Sequence, residues 1–415
     1  MNSHKLPLTK AVTRIGLMLA FTVLGHVSAS ASEPLAAGAT IQNDTLTLGT
    51  AYHSEKDGYY ALQSVLGRID ESLGNTEMDF VVGVDMGYTQ LANMLNGNLG
   101  AQLDLPVIKV NAGASYAKQQ SADDYTGTYT LYLAMKPKKR TLLPANGEGF
   151  GPTQVAADLA GQYPGDKFNR VGDEFVSAIE YGSQVMVNLK FQYKNKADKV
   201  KWGGQLDVDW VGKVRVGGKL ESVDNATKKD IKITVSATQF GGTPNELLKI
   251  IPNQLVNCTM ENPAHCFAIF ANTIDYIKTQ YVTQFTRLDR YNVARVYTEP
   301  YQRSGPNLQP LVPDGPYPSR SLLTKLAVKN MSEAWIQALM DNRRADNLLS
   351  YYASELAPDQ RNALQDIRDN ALFNSFILAD SVGYCDDNPI GPFCRERELA
   401  TKTRLSDYDR SWLDL

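Results

Sequence analysis

Between residues 202 and 220 the chain alternates with a period of two. Trp202, Gly204, Leu206, Val208, Trp210, Gly212, Val214, Val216, Gly218 and Leu220 hold the even positions. Gln205, Asp207, Asp209, Lys213, Arg215 and Lys219 stand among the odd ones, with Val211 the one large apolar break. Such a period puts one set on each face of an extended strand. The run is about three times the usual strand length and would span roughly 60 Å at ~3.3 Å per residue. A membrane-crossing strand needs only about 9–11 residues. Two shorter stretches behave alike. Ile108, Val110, Ala112, Ala114 and Tyr116 alternate with Lys109, Asn111, Gly113, Ser115 and Ala117, and Ile231, Ile233, Val235 and Ala237 alternate with Lys232, Thr234, Ser236 and Thr238. Apolar-out, polar-in alternation suits the wall of a water-filled barrel. A half-buried antiparallel sheet gives the same pattern.

Elsewhere the spacing of Leu62, Val65, Leu66 and Ile69 predicts a helix over 60–73. A strand is expected over 78–84 and a short helix over 90–96. The run Lys136-Pro137-Lys138-Lys139-Arg140 reads as a solvated loop after a strand, with acidic lipid head groups as an alternative contact. Six prolines between Pro300 and Pro318 mark a linker, because proline at that density continues neither a helix nor a central strand. Beyond it, 319–382 is helical in pattern, broken and restarted at Ala357-Pro358-Asp359.

Composition narrows the class. The first residues read as a secretory signal: Lys5, Lys10 and Arg14, then an apolar stretch too short for a stable membrane helix, then Val27-Ser28-Ala29 and Ala29-Ser30-Ala31 as cleavage sites. The formal net charge of −3 argues against a nucleic-acid binder. Four cysteines stand in two local pairs, Cys258 with Cys266 and Cys385 with Cys394. An even count in an exported chain reads as two disulfides. Three pairings are open, short loops favour the local one, and free buried thiols are the alternative. After signal removal only His53 and His265 remain, which weighs against histidine-based nucleophile or metal chemistry. No catalytic residue, metal site or cofactor is expected. Downstream of the signal no apolar run is long enough for a membrane helix, so the mature chain would enter a bilayer as a β-barrel or lie on its surface.

Between these segments lies Arg170-Val171-Gly172-Asp173-Glu174-Phe175-Val176-Ser177-Ala178-Ile179-Glu180-Tyr181-Gly182-Ser183. This resembles the signature of the membrane-attack-complex/perforin and cholesterol-dependent cytolysin superfamily. There a glycine, a polar pair and an aromatic residue lead into a strand that ends in Gly-Gly or Gly-Ser. The family often has a histidine where Glu174 stands, so the match is not strict. The order of flanking segments resembles the stonustoxin-like branch. Leu48-Gly49-Thr50-Ala51-Tyr52 is similar to its opening, 91–118 and 202–220 to its two insertion segments, and Phe240-Gly241-Gly242-Thr243-Pro244 to a strand end before a helix. The resemblance covers about 46–296.

It implies an α+β fold: a twisted, bent antiparallel β-sheet flanked by helical clusters, with a small helical C-terminal unit. The domains would be 1–31 signal peptide, 32–298 perforin-like domain, 299–318 proline-rich linker and 319–415 helical region. The family motif maps to Gly172, Asp173, Phe175, Tyr181, Gly182, Gly241 and Gly242. The membrane-inserting set maps to Ile108, Val110, Ala112, Leu206, Val208, Trp210, Val214, Val216 and Leu220. In the family the insertion segments are helical in the soluble form and unroll into β-hairpins on the membrane. Glycines at 203, 204, 212, 217 and 218 would weaken the helical state by up to ~1 kcal/mol each. The expectation is a secreted pore-forming toxin or effector, outside the cell or in the periplasm of a Gram-negative source. Its partners would be a lipid membrane, copies of itself, and a lipid or protein receptor. A secreted, non-lytic binding or adhesion protein is the alternative. A hydrolase is a distant third, for want of a nucleophile-base pair.

Overall fold

The computed structural model describes residues 46–55, 58–73, 78–96, 112–145, 149–209, 212–252, 255–285, 290–315 and 320–415. The expected signal peptide lies outside them. The strands are β1 (Thr50–His53), β2 (Gly58–Gln63), β3 (Val65–Leu66), β4 (Arg68–Leu73), β5 (Met78–Val84), β6 (Thr126–Leu143), β7 (Gly151–Pro152), β8 (Glu174–Gln192), β9 (Leu206–Val208), β10 (Val214–Val216), β11 (Lys232–Phe240), β12 (Leu255–Thr259) and β13 (Asn292–Pro300). The helices are α1 (Tyr88–Asn96), α2 (Ala112–Gln120), α3 (Gln154–Gln162), α4 (Lys167–Val171), α5 (Lys196–Trp202), α6 (Gly218–Glu221), α7 (Asn225–Asp230), α8 (Pro244–Ile250), α9 (Ala264–Thr279), α10 (Leu322–Tyr351), α11 (Pro358–Asp387) and α12 (Phe393–Lys402). The fold is α+β, a bent antiparallel sheet flanked by helical clusters.

Two long strands carry the sheet. β6 and β8 pair antiparallel from Thr126↔Gln192 to Thr141↔Ala178. On the far side of β8, β13 pairs with 174–182 and β11 with 184–192. β12 continues outward from β11. Beside β6, β4 pairs with 138–143 and β5 with 129–135. β1 takes over from β6 opposite Glu174 and Phe175.

These partner changes fall on one line across the sheet. β4 gives way to β5, and the β6 register shifts between Met135 and Lys138. Opposite, β8 passes from β13 to β11 at Gly182-Ser183. Pro137 lies inside the β6 shift and has no N–H for a ladder bond, so pairing must break there. At Gly182 a Cβ would run into the Met135 carbonyl, so only glycine lets the two strands approach. Along this line the ladder is interrupted and the sheet divides into two halves.

Each sheet half has its own core. Phe175, Val176, Ile179 and Tyr181 pack with Tyr52, Tyr60, Phe150 and Tyr301. Val185, Val187, Leu189 and Phe191 pack against α9 and against Trp202, Leu206 and Leu220. The opposite face of that second half lies under α1, α2, α10 and α11. The proline-rich segment places Tyr301, Leu308 and Leu311 in the first core as 3-10 turns.

The C-terminal helices follow the sequence closely. Ser321 caps α10 by accepting from the Thr324 N–H. Pro358 opens α11, where its missing N–H costs nothing. The disulfides are the local ones: Cys258–Cys266 ties β12 to α9, and Cys385–Cys394 ties α11 to α12.

Three expectations are corrected. Residues 60–73 are strands β2, β3 and β4, not a helix. Val65 is buried, but Leu66 and Ile69 are 51% and 57% exposed, so the four apolar residues never share a face. Pairing with β1, β7 and β6 overrides the helical spacing. Residues 136–140 are not a loop but part of β6. Lys139 sits 4.4 Å over the Tyr297 ring, and the Arg140 Nε donates to Glu71 at 2.6 Å. The 202–220 run is not one long strand, for the reason given next.

Candidate membrane-insertion segments

Two segments leave the second half of the sheet between neighbouring strands. The first, 85–125, joins β5 to β6 and holds α1 and α2. The second, 193–231, joins β8 to β11 and holds α5, β9, β10, α6 and α7. They lie on opposite faces. Leu91, Leu95, Tyr116 and Ala117 of the first pack with Met186. Trp202, Leu206 and Leu220 of the second pack with Val187 and Phe191.

Within the second segment the period-two pattern is satisfied in pieces. Leu206 and Val208 lie in β9, Val214 and Val216 in β10, and Leu220 in α6. Burial of Trp202, Leu206 and Leu220 against the sheet wins over one extended run, whose two edges would stand unpaired. β9 and β10 form a hairpin with Val208 opposite Val214. Its turn is closed by Gly212 N–H donating to the Asp209 carbonyl at 2.9 Å and Lys213 N–H to the Asp209 carboxylate at 2.8 Å. Gly212 has φ +82°, a conformation that favours glycine. Carried onward in the register of β8 and β11, where Gln192 meets Lys232, Val208 would face Val216. The short hairpin is therefore only two residues out of step with the long strands. Ala112 opens α2. Ile108, Val110 and Trp210 lie outside the described residues.

The motif residues fall at two places. Gly172, with φ +72°, turns the chain into β8 where a Cβ would strike the Tyr52 carbonyl. Asp173 accepts from the Ser54 N–H at 2.8 Å and the Ser54 hydroxyl at 2.5 Å. Burial pushes its carboxyl up to about 6 despite those bonds, and the Glu174 charge adds to the rise. Phe175 stacks on Tyr301 and meets Phe150 edge-on. Tyr181, Gly182, Gly241 and Gly242 gather where β8 changes partner from β13 to β11, and there the Gly242 N–H donates to the Arg290 carbonyl at 2.7 Å.

The two faces of the second half differ in chemistry. One carries the rows Tyr129–Leu189–Val235 and Leu131–Val187–Ala237. The other carries Thr128–Lys190–Thr234 and Thr130–Asn188–Ser236, polar yet almost wholly buried. Lys190 donates to the Gln119 carbonyl at 2.8 Å. Burial, then the Arg343 charge, holds its pKa well below the usual lysine value. Burial also works against the Asp123 carboxylate, but Arg343, Lys190 and the Tyr125 N–H outweigh it and bring it to about 2. Sequence reasoning missed Asp123, Lys190, Arg343 and Arg344. Only Lys190 carried a signal, as a charged residue between the apolar Leu189 and Phe191 of a strand.

Among the described residues, no helix is long and apolar enough to cross a membrane. No family model and no curated protein matches the chain. Among solved structures it is similar to stonustoxin, with 13% identity over 88% of this chain and 47% of that one at a TM-score of 0.36. It is also similar to wild-type pneumolysin, with 11% identity over 66% of this chain and 60% of that one at a TM-score of 0.31. A third is a putative cell invasion protein with a MAC/perforin domain from Bacteroides thetaiotaomicron, with 9% identity over 74% and 63% at a TM-score of 0.27. The chain thus spans about half the length of the stonustoxin chain.

Proposed function

We propose that this chain is a secreted, non-enzymatic pore former. It binds a target membrane, assembles with copies of itself, and inserts segments 85–125 and 193–231 as amphipathic β-hairpins. The carrying observation is the placement of both segments. Each bridges two adjacent antiparallel strands, so each can lengthen those strands without changing the sheet's topology. The preformed hairpin at 206–216, nearly in register with β8 and β11, supports the same reading.

One copy cannot cross alone, because a lone hairpin exposes unpaired backbone to lipid. Among the described residues β5 pairs with β6 alone, which leaves an edge for a neighbouring copy. Phe80, Val82 and Val84 on that strand are 44%, 52% and 61% exposed. Dye release from liposomes, imaged in parallel by negative-stain microscopy, tests the reading. Leakage with ring-shaped assemblies is the expected result. Binding with neither leakage nor rings would replace it with the non-lytic adhesion protein.

A further inference from the structure

The polar rows of the sheet are covered by α2 and by the C-terminal helices, and two adjacent arginines of α10 fasten that cover. Arg343 donates to the Lys118 carbonyl at 2.5 Å, to the Ser121 carbonyl at 3.1 Å and to the Ser121 hydroxyl at 3.0 Å. It also pairs with the Asp123 carboxylate. These groups lie where the first segment rejoins β6. Arg344 donates to the Tyr193 carbonyl at 2.9 Å and to the Lys194 carbonyl, where the second segment leaves β8. Its Nε reaches the Leu413 carbonyl at 3.1 Å. The Asp414 carboxylate accepts from the Lys196 N–H at 2.9 Å, at the start of α5.

The charge balance of this layer is poor. Lys190, Arg343 and Arg344 are 1%, 8% and 3% exposed; Arg343 pairs with the Asp123 carboxylate, whereas Lys190 and Arg344 bond backbone carbonyls. Burying surplus like charge is unfavourable, and apolar residues of similar volume would pack at least as stably. Threonine, asparagine and lysine rows under a lid are likewise a poor choice for a permanent core. They suit a surface that ends in water, such as a barrel lumen.

We propose that residues 320–415 are a removable cover, with Arg343 latching the point where the first insertion segment rejoins the sheet and Arg344 the point where the second leaves it. Lifting the cover frees both segments and delivers the Thr128–Lys190–Thr234 and Thr130–Asn188–Ser236 rows to water. The purpose of the cover rests on the pore reading; the latch itself does not.

The test has two arms on the full chain. Amide hydrogen exchange of Arg343→Ala should speed at least tenfold over 112–123, and that of Arg344→Ala over 196–202, while 184–192 stays slow. Loosening confined to α10, or spread evenly through β8, would overturn the latch. The second arm uses Lys194→Cys with Glu355→Cys, whose native side chains meet at 2.5 Å. A bismaleimide linker across this pair should slow vesicle leakage at least tenfold relative to capping by a monofunctional maleimide, with vesicle binding retained. Equal leakage would overturn the cover even if an arginine variant fails to fold. If the unlinked protein leaks no vesicle of anionic or zwitterionic phospholipid with cholesterol, the pore reading falls, and exchange alone decides the latch.

Discussion

Residues 174–182 and 184–192 belong to one strand, β8, yet they are held by different chemistry. In the first half Phe175 is enclosed by Phe150 and Tyr301, and the Tyr301 hydroxyl bonds Ser64 at 2.8 Å and the Val171 carbonyl at 2.7 Å. This half shares β6 with the second half at 178–181, but its other strand partners, β1 and β13, adjoin neither insertion segment. In the second half one face is apolar and the other polar, and both lie under elements that the pore reading requires to move. Burial alone does not distinguish the halves; what each buries does. An aromatic core is a commitment to one arrangement, whereas a covered polar face keeps a second one open.

The largest expected effect is in the fixed half. Phe175→Ala removes a fully buried ring and should cost about 4 kcal/mol, read as a shifted urea midpoint. A loss under about 1 kcal/mol would mean that the first half is not the anchor. Next comes the boundary between the halves. Gly182→Val drives a side chain into the Met135 carbonyl and should cost about 3 kcal/mol. Gly204, with open space around its Cβ position, is the control: Gly204→Ala should be neutral or stabilising by up to ~1 kcal/mol. Equal effects of the two would dismiss the boundary as a sterically fixed line.

A pH titration sharpens the contrast further. Asp173 belongs to the fixed half, and its folded pKa of about 6 lies above the unfolded value of about 3.9. A raised folded pKa means that its contribution is complete below the unfolded value and is lost as pH rises through about 6. Between pH 4 and pH 7 the native chain should therefore lose on the order of 2 kcal/mol relative to Asp173→Asn. Urea midpoints of the two proteins at several pH values give the difference directly. A constant difference would show that Asp173 is not protonated by its surroundings.

Much of this was legible in the sequence, for local reasons. The Gly172–Ser183 stretch, the strand over 78–84, the break at Pro358 and both disulfide pairs are short-range signals, and the structure has them. The α+β class followed from the resemblance that the Gly172–Ser183 stretch and its flanking segments carry. What was not legible depended on distant partners. Leu62, Val65, Leu66 and Ile69 have helical spacing, but strands far along the chain pair with them. The 202–220 pattern describes a strand, while in this structure Trp202 and Leu220 are buried on the sheet and, among the described residues, only 206–208 and 214–216 pair as strands. The Arg343–Asp123 pair joins residues 220 positions apart, and nothing in an amphipathic helix marks which arginine will be buried.

The smallest expected effect on stability is also the sharpest probe of the comparison. Asn188 donates to the Thr130 hydroxyl at 2.7 Å, and its Oδ1 finds no partner among the described residues. Replacing both members of a buried hydrogen bond with apolar groups of similar shape is nearly neutral, since no unsatisfied group is left behind. Thr130→Val with Asn188→Leu should therefore change unfolding stability by less than ~1 kcal/mol. If these rows serve only the covered state, leakage should be as unaffected as stability. If they are destined for a water-filled lumen, an apolar row there is out of place. Leakage should then fall at least tenfold while vesicle binding persists. That split between an unmoved midpoint and a lost leak would separate a polar row kept for a second state from one that only fills the first.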